Sequence, residues 1–312
     1  MLLPNYEYFL RIVEYKSISK AAESLYISQP SLTKYLQKLE GELNIQLFDR
    51  KQTPMKLTDA GLYFYDYVKR VEREEHDLLT RVSEIKNAGR ATLTIGMALW
   101  RSSVILPEFL PIFFERHPMI SIRLQEGSAA TLESALMNDD VDFCVMNLPV
   151  NYTNVSYEPI IDEYIFLIGS HRFPLVQQLE EELAADPYRR TDIRRFADQP
   201  FILTQPGQHI TEYVNSMLSR HNVELRCLMR TSNVTTAVNL AASGIGFTFV
   251  PELGTHSRFF PSQDVSLFIV NTPPLRCTLA AVYKKSSYLS AAAQLFIQEL
   301  QQFSHQRRSD AI

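Results

Sequence analysis

Ser31, Lys34, Tyr35 and Lys38 share one side of a segment, 29–43, with Gln29 at its N-terminal end, and the other side carries Leu32, Leu36, Leu39 and Leu43. The leucines are spaced four, three and four apart, which predicts one apolar stripe on a helix. Gln, Ser and Lys side chains donate to base edges, Lys and Tyr reach phosphates, and a major groove is wide enough for a helix. Arg50–Lys51–Gln52–Thr53–Pro54–Met55–Lys56 follows as a basic loop closed by Leu57–Thr58, with the shape of a wing. From Lys16 to Lys56 seven basic residues face four acidic ones, a local excess of +3, although the whole chain carries −4. Such an excess suffices for a head that neutralises a few phosphates. The chemistry these residues offer is duplex recognition, and the bland alternative is an amphipathic helix with a solvated polar face.

The elements that must position this face are short. Residues 5–15 carry Tyr8, Phe9, Ile12 and Val13 at helical spacing. Ser19 is an N-cap candidate for a second helix, 20–25, in which Ala21 and Ala22 allow a close crossing. Ser28 is the next cap, and Pro30 falls in the first turn, where its missing N–H is tolerated. Three short helices followed by a basic hairpin weigh the reading towards DNA.

The stretch SISKAAESLYISQPSLTKYLQKLEGELNIQLFDRKQTPMKLTDAG resembles the signature of LysR-type transcriptional regulators, through Ala21, Ala22, Leu25, Ser28, Gln29, Pro30, Ser31, Leu32, Leu39, Glu40, Leu43, Leu47, Phe48, Arg50, Leu57, Thr58 and Gly61. The resemblance implies a winged helix-turn-helix over 1–58. It also implies major-groove contacts from Gln29, Pro30, Ser31 and Lys34, with Arg50 and the wing (Lys51, Lys56) reaching the backbone or minor groove. Tyr35 and Lys38 join them on the exposed face. Two residues depart from the pattern: Lys34 stands where arginine is usual, which loses a bidentate fork, and Tyr35 is bulky.

Residues 59–88 predict one long helix with Phe64, Val68, Val71, Leu78, Val82 and Ile85 in a four-three heptad and Glu75 as its polar member. That stripe is expected to be a dimerisation seam; packing on the first helix and wing through Leu62 and Tyr65 is the alternative. The resemblance implies a homodimer, with tetramers common among relatives.

Beyond a hinge at 87–90, strand-like and helical runs alternate, which argues for an α/β domain over 91–304. Strands are expected at 92–98, 121–126, 143–147, 164–169, 201–204, 247–250 and 275–283. Helices are expected at 104–116, 129–137, 210–220, 234–242 and 291–303, and the charged stretch 176–193 is expected as an exposed loop or extra helix. The resemblance implies a two-lobed, periplasmic-binding-protein-like (type 2) effector domain, with lobe I at about 91–161 and 269–304 and lobe II at about 162–268. SNVTTAVNLAASGIGFTFVPE matches the family's pattern, with Asn233 as a helix cap and Gly244 and Gly246 in the turn into a strand.

Ligands of open α/β sheets sit at strand carboxyl ends and helix N-termini. That rule selects 99–103, 127–128, 147–148 and 204–208, and within them Trp100, Arg101, Ser102, Ser103, Ser128, Asn147, Thr204 and Gln205. Relatives often hold a carboxylate with a hydroxyl residue four positions after the first-strand glycine. Counting from Gly96 that position is Trp100, which either binds a ligand or fills the cleft.

Other classes find little support. No GxSxG, HExxH or phosphate-loop pattern points to an enzyme. Cys144, Cys227 and Cys277 lie far apart without metal spacing and read as free thiols in a reducing cytoplasm, so neither metal nor cofactor is expected. The start has no basic lead or small-residue cleavage site and does not read as a signal peptide. The expectation is a cytoplasmic, bacterial regulator, nucleoid-associated when DNA-bound, whose partners are double-stranded DNA and a small-molecule effector.

Overall fold

A computed structural model describes residues 5–50, 54–86, 90–150, 152–258, 260–271, 273–285 and 287–310. The chain divides into two compact units, Met1–Arg81 and Val82–Ile312.

The first unit contains α1 (Tyr6–Tyr15), α2 (Ile18–Ser24), α3 (Gln29–Leu43), the two-residue strands β1 (Phe48–Asp49) and β2 (Lys56–Leu57), and the beginning of α4 (Asp59–Lys86). Its core joins Phe9 and Ile12 of α1, Ala21 and Ala22 of α2 and the leucine stripe of α3. Helix α2 starts two residues earlier than the sequence predicts, because Ser17 rather than Ser19 caps it by accepting from the Lys20 amide. Glu40 lies buried on α3. Its carboxylate accepts from the Leu47 and Phe48 amides at 2.8 and 3.3 Å and pairs with Arg50 at 2.6 Å, fastening α3 to β1. Thr58 opens α4 by accepting from the Gly61 amide at 3.0 Å, and Gly61 approaches the Leu47 carbonyl so closely that a Cβ would strike backbone.

The expected seam on α4 needs correction. Phe64 and Val68 are buried in this unit's own core, and the Phe64 ring meets Phe9 edge-on at 4.9 Å. They are used up internally. The polar heptad member has a partner as well, because the Tyr6 hydroxyl donates to Glu75 at 2.6 Å and ties α1 to α4. Leu78 is 60% exposed, and Val71 and Val82 are half-buried. The Ile85 side chain and hinge positions 87–89 lie outside the described residues.

The second unit opens with β3 (Ala91–Met97), α5 (Leu99–Arg116), β4 (Ile120–Glu126), α6 (Ala129–Met137), β5 (Phe143–Asn147) and β6 (Val155–Ser170). It continues through α7 (Pro174–Glu182), β7 (Pro200–Thr204), α8 (His209–His221), β8 (Arg226–Thr231) and α9 (Val234–Ala242). It closes with β9 (Thr248–Pro251), α10 (Glu252–Thr255), β10 (Val265–Phe268), β11 (Arg276–Lys284) and α11 (Ala291–Asp310). β3 pairs in parallel with β4 and β5, and β11 lies antiparallel to both β5 and β6. The 16-residue β6 links two halves: its first part pairs with β11, and its last with β9 and β10. Beside that second half, β7 and β8 form a parallel pair. Two large apolar clusters follow this division, one around Phe109, Phe113 and Phe296, the other around Phe196, Phe247 and Phe268.

Three sequence readings shift. α5 begins at Leu99 rather than at 104, so residues 99–103, selected as a ligand segment ahead of the expected helix, form the first turns of a helix whose cap, Ala98, offers no side-chain bond. β6 begins nine residues before the expected 164, in the strip that binds β11. Of the two alternatives for 176–193 the extra helix is the one observed, as α7, and it is not exposed throughout: Val176 and Leu179 of α7 and the following Ile193 are fully buried. The predicted Asn233 cap is present, accepting from the Thr235 and Thr236 amides, and Gly244 takes φ +80 in the turn after α9.

Candidate functional sites: an exposed helix face and an interlobe cleft

In the first unit the capped start of α3 presents its polar residues outward. Ser28 accepts from the Ser31 amide at 3.4 Å, and the two hydroxyls lie 2.8 Å apart. Gln29 Oε1 accepts from Ser19 of α2 at 3.0 Å, which holds the amide at the junction of the two helices. Pro30 and Lys34 are exposed, and Lys34 makes no ion pair with a described residue. Lys38 stands over Glu42 at 3.8 Å, a loose surface pair. Tyr35 is half-buried and packs edge-on against Tyr8 at 5.3 Å, and burial, with Tyr8 beside it, pushes its hydroxyl pKa up to about 12. It is therefore a neutral donor anchored on its ring. Arg50 is held by Glu40, which constrains the direction of its fork, while Lys56 is exposed on β2 and Lys51 lies outside the described residues. Sequence reasoning missed Tyr26, which is 98% exposed in the turn between α2 and α3 at a positive φ of 55. No periodicity marks a turn residue.

The second unit contains a cavity of about 470 Å³ where the starts of α5, α6, α8 and α9 converge, within the range of small-molecule sites. Trp100, Arg101, Ser128 and Asn147 line it, as do Glu126, Gln208 and His209. Ser103 instead lines a neighbouring cavity of about 290 Å³, and Trp100 is common to both. The Trp100 ring lies against Gly254, where any Cβ would collide with it, so it forms the partition between the two spaces. Ser102 is buried and donates to Glu126. Thr204 is turned away, its hydroxyl 2.6 Å from that of Thr211, and Gln205 is exposed outside the lining.

Arg101 is the electrostatic centre of the cleft. Its guanidinium, 3% exposed, pairs with the fully buried Glu163 of β6 and donates to Asn147 Oδ1 at 3.3 Å. Glu163 also accepts from the Leu253 amide at 2.9 Å, so one carboxylate joins α5, β6 and α10. Burial pushes the nearby Cys277 thiol well up, helped by the Glu163 charge, and keeps it a thiol. Burial lowers the His209 pKa, so the cleft imidazole favours its neutral form. Sequence reading missed His209 because a lone histidine at a helix start has no distinguishing neighbour.

The chain matches known proteins along nearly all its length. Residues 3–62 match the bacterial regulatory helix-turn-helix protein of the lysR family, and residues 86–304 match the LysR substrate binding domain. The HTH-type transcriptional regulator YcgK of Bacillus subtilis is 29% identical over 300 residues, covering 94% of this chain and 91% of its own. BsdA, a second such regulator of Bacillus subtilis, is 28% identical over 298 residues, covering 93% and 97%. Among solved structures, a full-length, singly substituted OxyR from Pseudomonas aeruginosa superposes with a TM-score of 0.67 at 19% identity, covering 94% of this chain and 92% of that one. Full-length CbnR complexed with its target DNA gives 0.57 at 17%, covering 95% and 97%.

Proposed function

Because the chain belongs to the LysR family of transcriptional regulators, with a helix-turn-helix DNA-binding domain and a substrate-binding domain and not an enzyme's machinery, we propose that it is a homodimeric, operator-specific switch set by a small metabolite. The observation that carries the reading is the pairing of an outward polar face on α3, backed by its leucine stripe, with a 470 Å³ cleft between two α/β lobes. Gln29, Pro30, Ser31 and Lys34 enter the major groove, with Tyr35 and Lys38 beside them. Arg50, oriented by Glu40, and Lys51 and Lys56 meet the backbone. The exposed part of α4 around Leu78 pairs two subunits, and two dimers form a tetramer. Trp100, Arg101, Ser128 and Asn147 hold the effector from one lobe and the start of α8 from the other. No described helix is long and apolar enough to cross a membrane, and the switch operates in the bacterial cytoplasm, where its DNA is.

A ligand that closes the lobes changes how effector domains pair and so shifts the spacing of the reading heads. The test is a footprint of the full chain on the DNA upstream of its own gene, titrated with salt and then with a small-molecule extract of the host cells. Affinity falling steeply with salt, and a footprint that lengthens or shortens with extract, are the expected results. Salt-insensitive binding would remove the DNA reading, and a footprint indifferent to extract would remove the effector reading.

A further inference from the structure

The effector reading makes no use of the second cavity, the space of about 290 Å³ behind Trp100. Its inner wall is apolar: Val104 of α5, Val238 of α9 and Val250 of β9 are buried, and Phe260 is half-buried. Ser103, Thr235 and Asn239 line it as well and are exposed, so they mark its mouth. Among the described residues no charged side chain lines this space, whereas Arg101 and Glu126 both line the larger cleft.

Trp100 is the only lining residue that the two spaces share. Its ring packs on the cluster around Phe109 and on the one that holds Val238 and Val250. The Arg101 guanidinium lies 5.1 Å from the ring centroid, and Gly254 meets the ring edge where a Cβ would collide. An indole wedged on two sides is a fixed wall.

The lining selects the chemistry of an occupant. A charge taken out of water against valines meets no opposite charge here, which disfavours ions. The start of α9 offers an anion little, because Asn233 already accepts from the Thr235 and Thr236 amides. Thr235 and Asn239 bond to described residues through backbone atoms alone, which leaves a hydroxyl and an amide for a neutral polar group. An apolar void of about 150 Å³ takes one benzene ring, so this one takes a substituted ring or two fused rings.

We propose that the space behind Trp100 is a second small-molecule site, which takes an uncharged aromatic compound carrying one amide or hydroxyl group. The ring packs among Trp100, Val238 and Phe260, and the polar group meets Asn239 and Thr235 at the mouth. The site stands apart from the effector cleft, with which it has one side chain in common.

That side chain is also the chain's only tryptophan, so its emission reads the occupancy of the site. The test titrates the full chain with para-bromobenzamide, a neutral arene whose bromine quenches indole emission on contact. Saturable quenching is expected. Asn239→Phe, which fills the mouth from an exposed position, should abolish it, and Ser232→Phe, which crowds the larger cleft alone, should not. Asn239→Leu should weaken the amide about tenfold and leave para-bromotoluene unchanged, the coupling expected of a direct contact. In the Ser232→Phe chain, para-bromobenzoate and the para-bromobenzylammonium ion should bind about tenfold weaker than the amide, or worse. No saturable quenching in the parent, quenching kept in Asn239→Phe or lost in Ser232→Phe, or charged analogues that match the amide would each overturn the proposal. Should Asn239→Phe fail to fold, Asn239→Leu decides alone, and undiminished amide binding by it would have the same force.

Discussion

Glu40 shows how one side chain sets the direction of a residue in the surface proposed to face DNA. Burying a carboxylate is unfavourable unless its oxygens are matched, and here two backbone amides and Arg50 match them. Glu40→Ala should therefore destabilise the first unit by about 2–3 kcal/mol, since it leaves buried donors unpaired, and denaturant unfolding followed by far-ultraviolet circular dichroism will measure it. Arg50→Ala should cost less stability, because its side chain is partly solvated. Lys34→Ala should not change the unfolding midpoint, since Lys34 is exposed and makes no ion pair with a described residue. It should lower DNA affinity on every sequence and reduce the salt slope by about one counterion; an unchanged slope in filter binding would place Lys34 away from phosphate. His256 adds a pH dependence. Burial is the largest cause of its lowered pKa, followed by the Arg307 charge. A native pKa below the unfolded value of 6.5 gives stability that is present above 6.5 and lost as pH falls through the native value. The midpoint should thus drop more steeply between neutral and mildly acid pH in the parent than in His256→Gln, and parallel curves from calorimetry would refute it.

The long helix α4 illustrates what pattern reveals about an element and what it leaves out. Its heptad is readable, but a heptad does not say which members meet the subunit's own core. Phe64 and Val68 do, because Phe9 and the α3 leucines need a lid, and the exposed apolar surface that remains includes Leu78 and Leu79. Leu78→Glu should therefore weaken subunit pairing by about thirtyfold or more, as expected for loss of a central apolar anchor, without changing the thermal midpoint of the first unit. Sedimentation at graded concentrations decides it, and an undiminished dimer would move the seam elsewhere. The same limit explains the other elements. α3, α6 and α9 were legible to the residue because Ser28, Ser128 and Asn233 cap them through their side chains. α5 was not, since its start is capped by nothing but backbone at Ala98, and β8 was missed because Arg226–Thr231 has no apolar alternation. The cleft was legible as a set of strand ends. It was not legible as a set of partners, because the Arg101–Glu163 pair joins residues 62 apart in the chain.

At the scale of the whole effector unit, that pair is a junction of three elements, on which the proposed closure would turn. Glu163 stands where β6 passes from β11 towards β9 and β10, Arg101 reaches it from α5, and the Leu253 amide of α10 completes its shell. Breaking such a pair strands a buried charge, so Glu163→Gln should cost about 3–5 kcal/mol and lower the calorimetric midpoint of this unit. Stability is a poor reason to retain the pair, however, because well-packed apolar replacements often match or exceed a buried ion pair. The double variant Arg101→Met with Glu163→Leu should therefore recover most of the lost midpoint. What it should not recover is the response: with no guanidinium between α5 and β6, a ligand in the cleft loses the cation that joins the two elements, and only a differential interaction can shift that equilibrium. The decisive comparison is the footprint of the double variant with and without extract, made under conditions where its midpoint equals the parent's. A restored response would show that closure is carried by shape alone and that the pair is a packing detail.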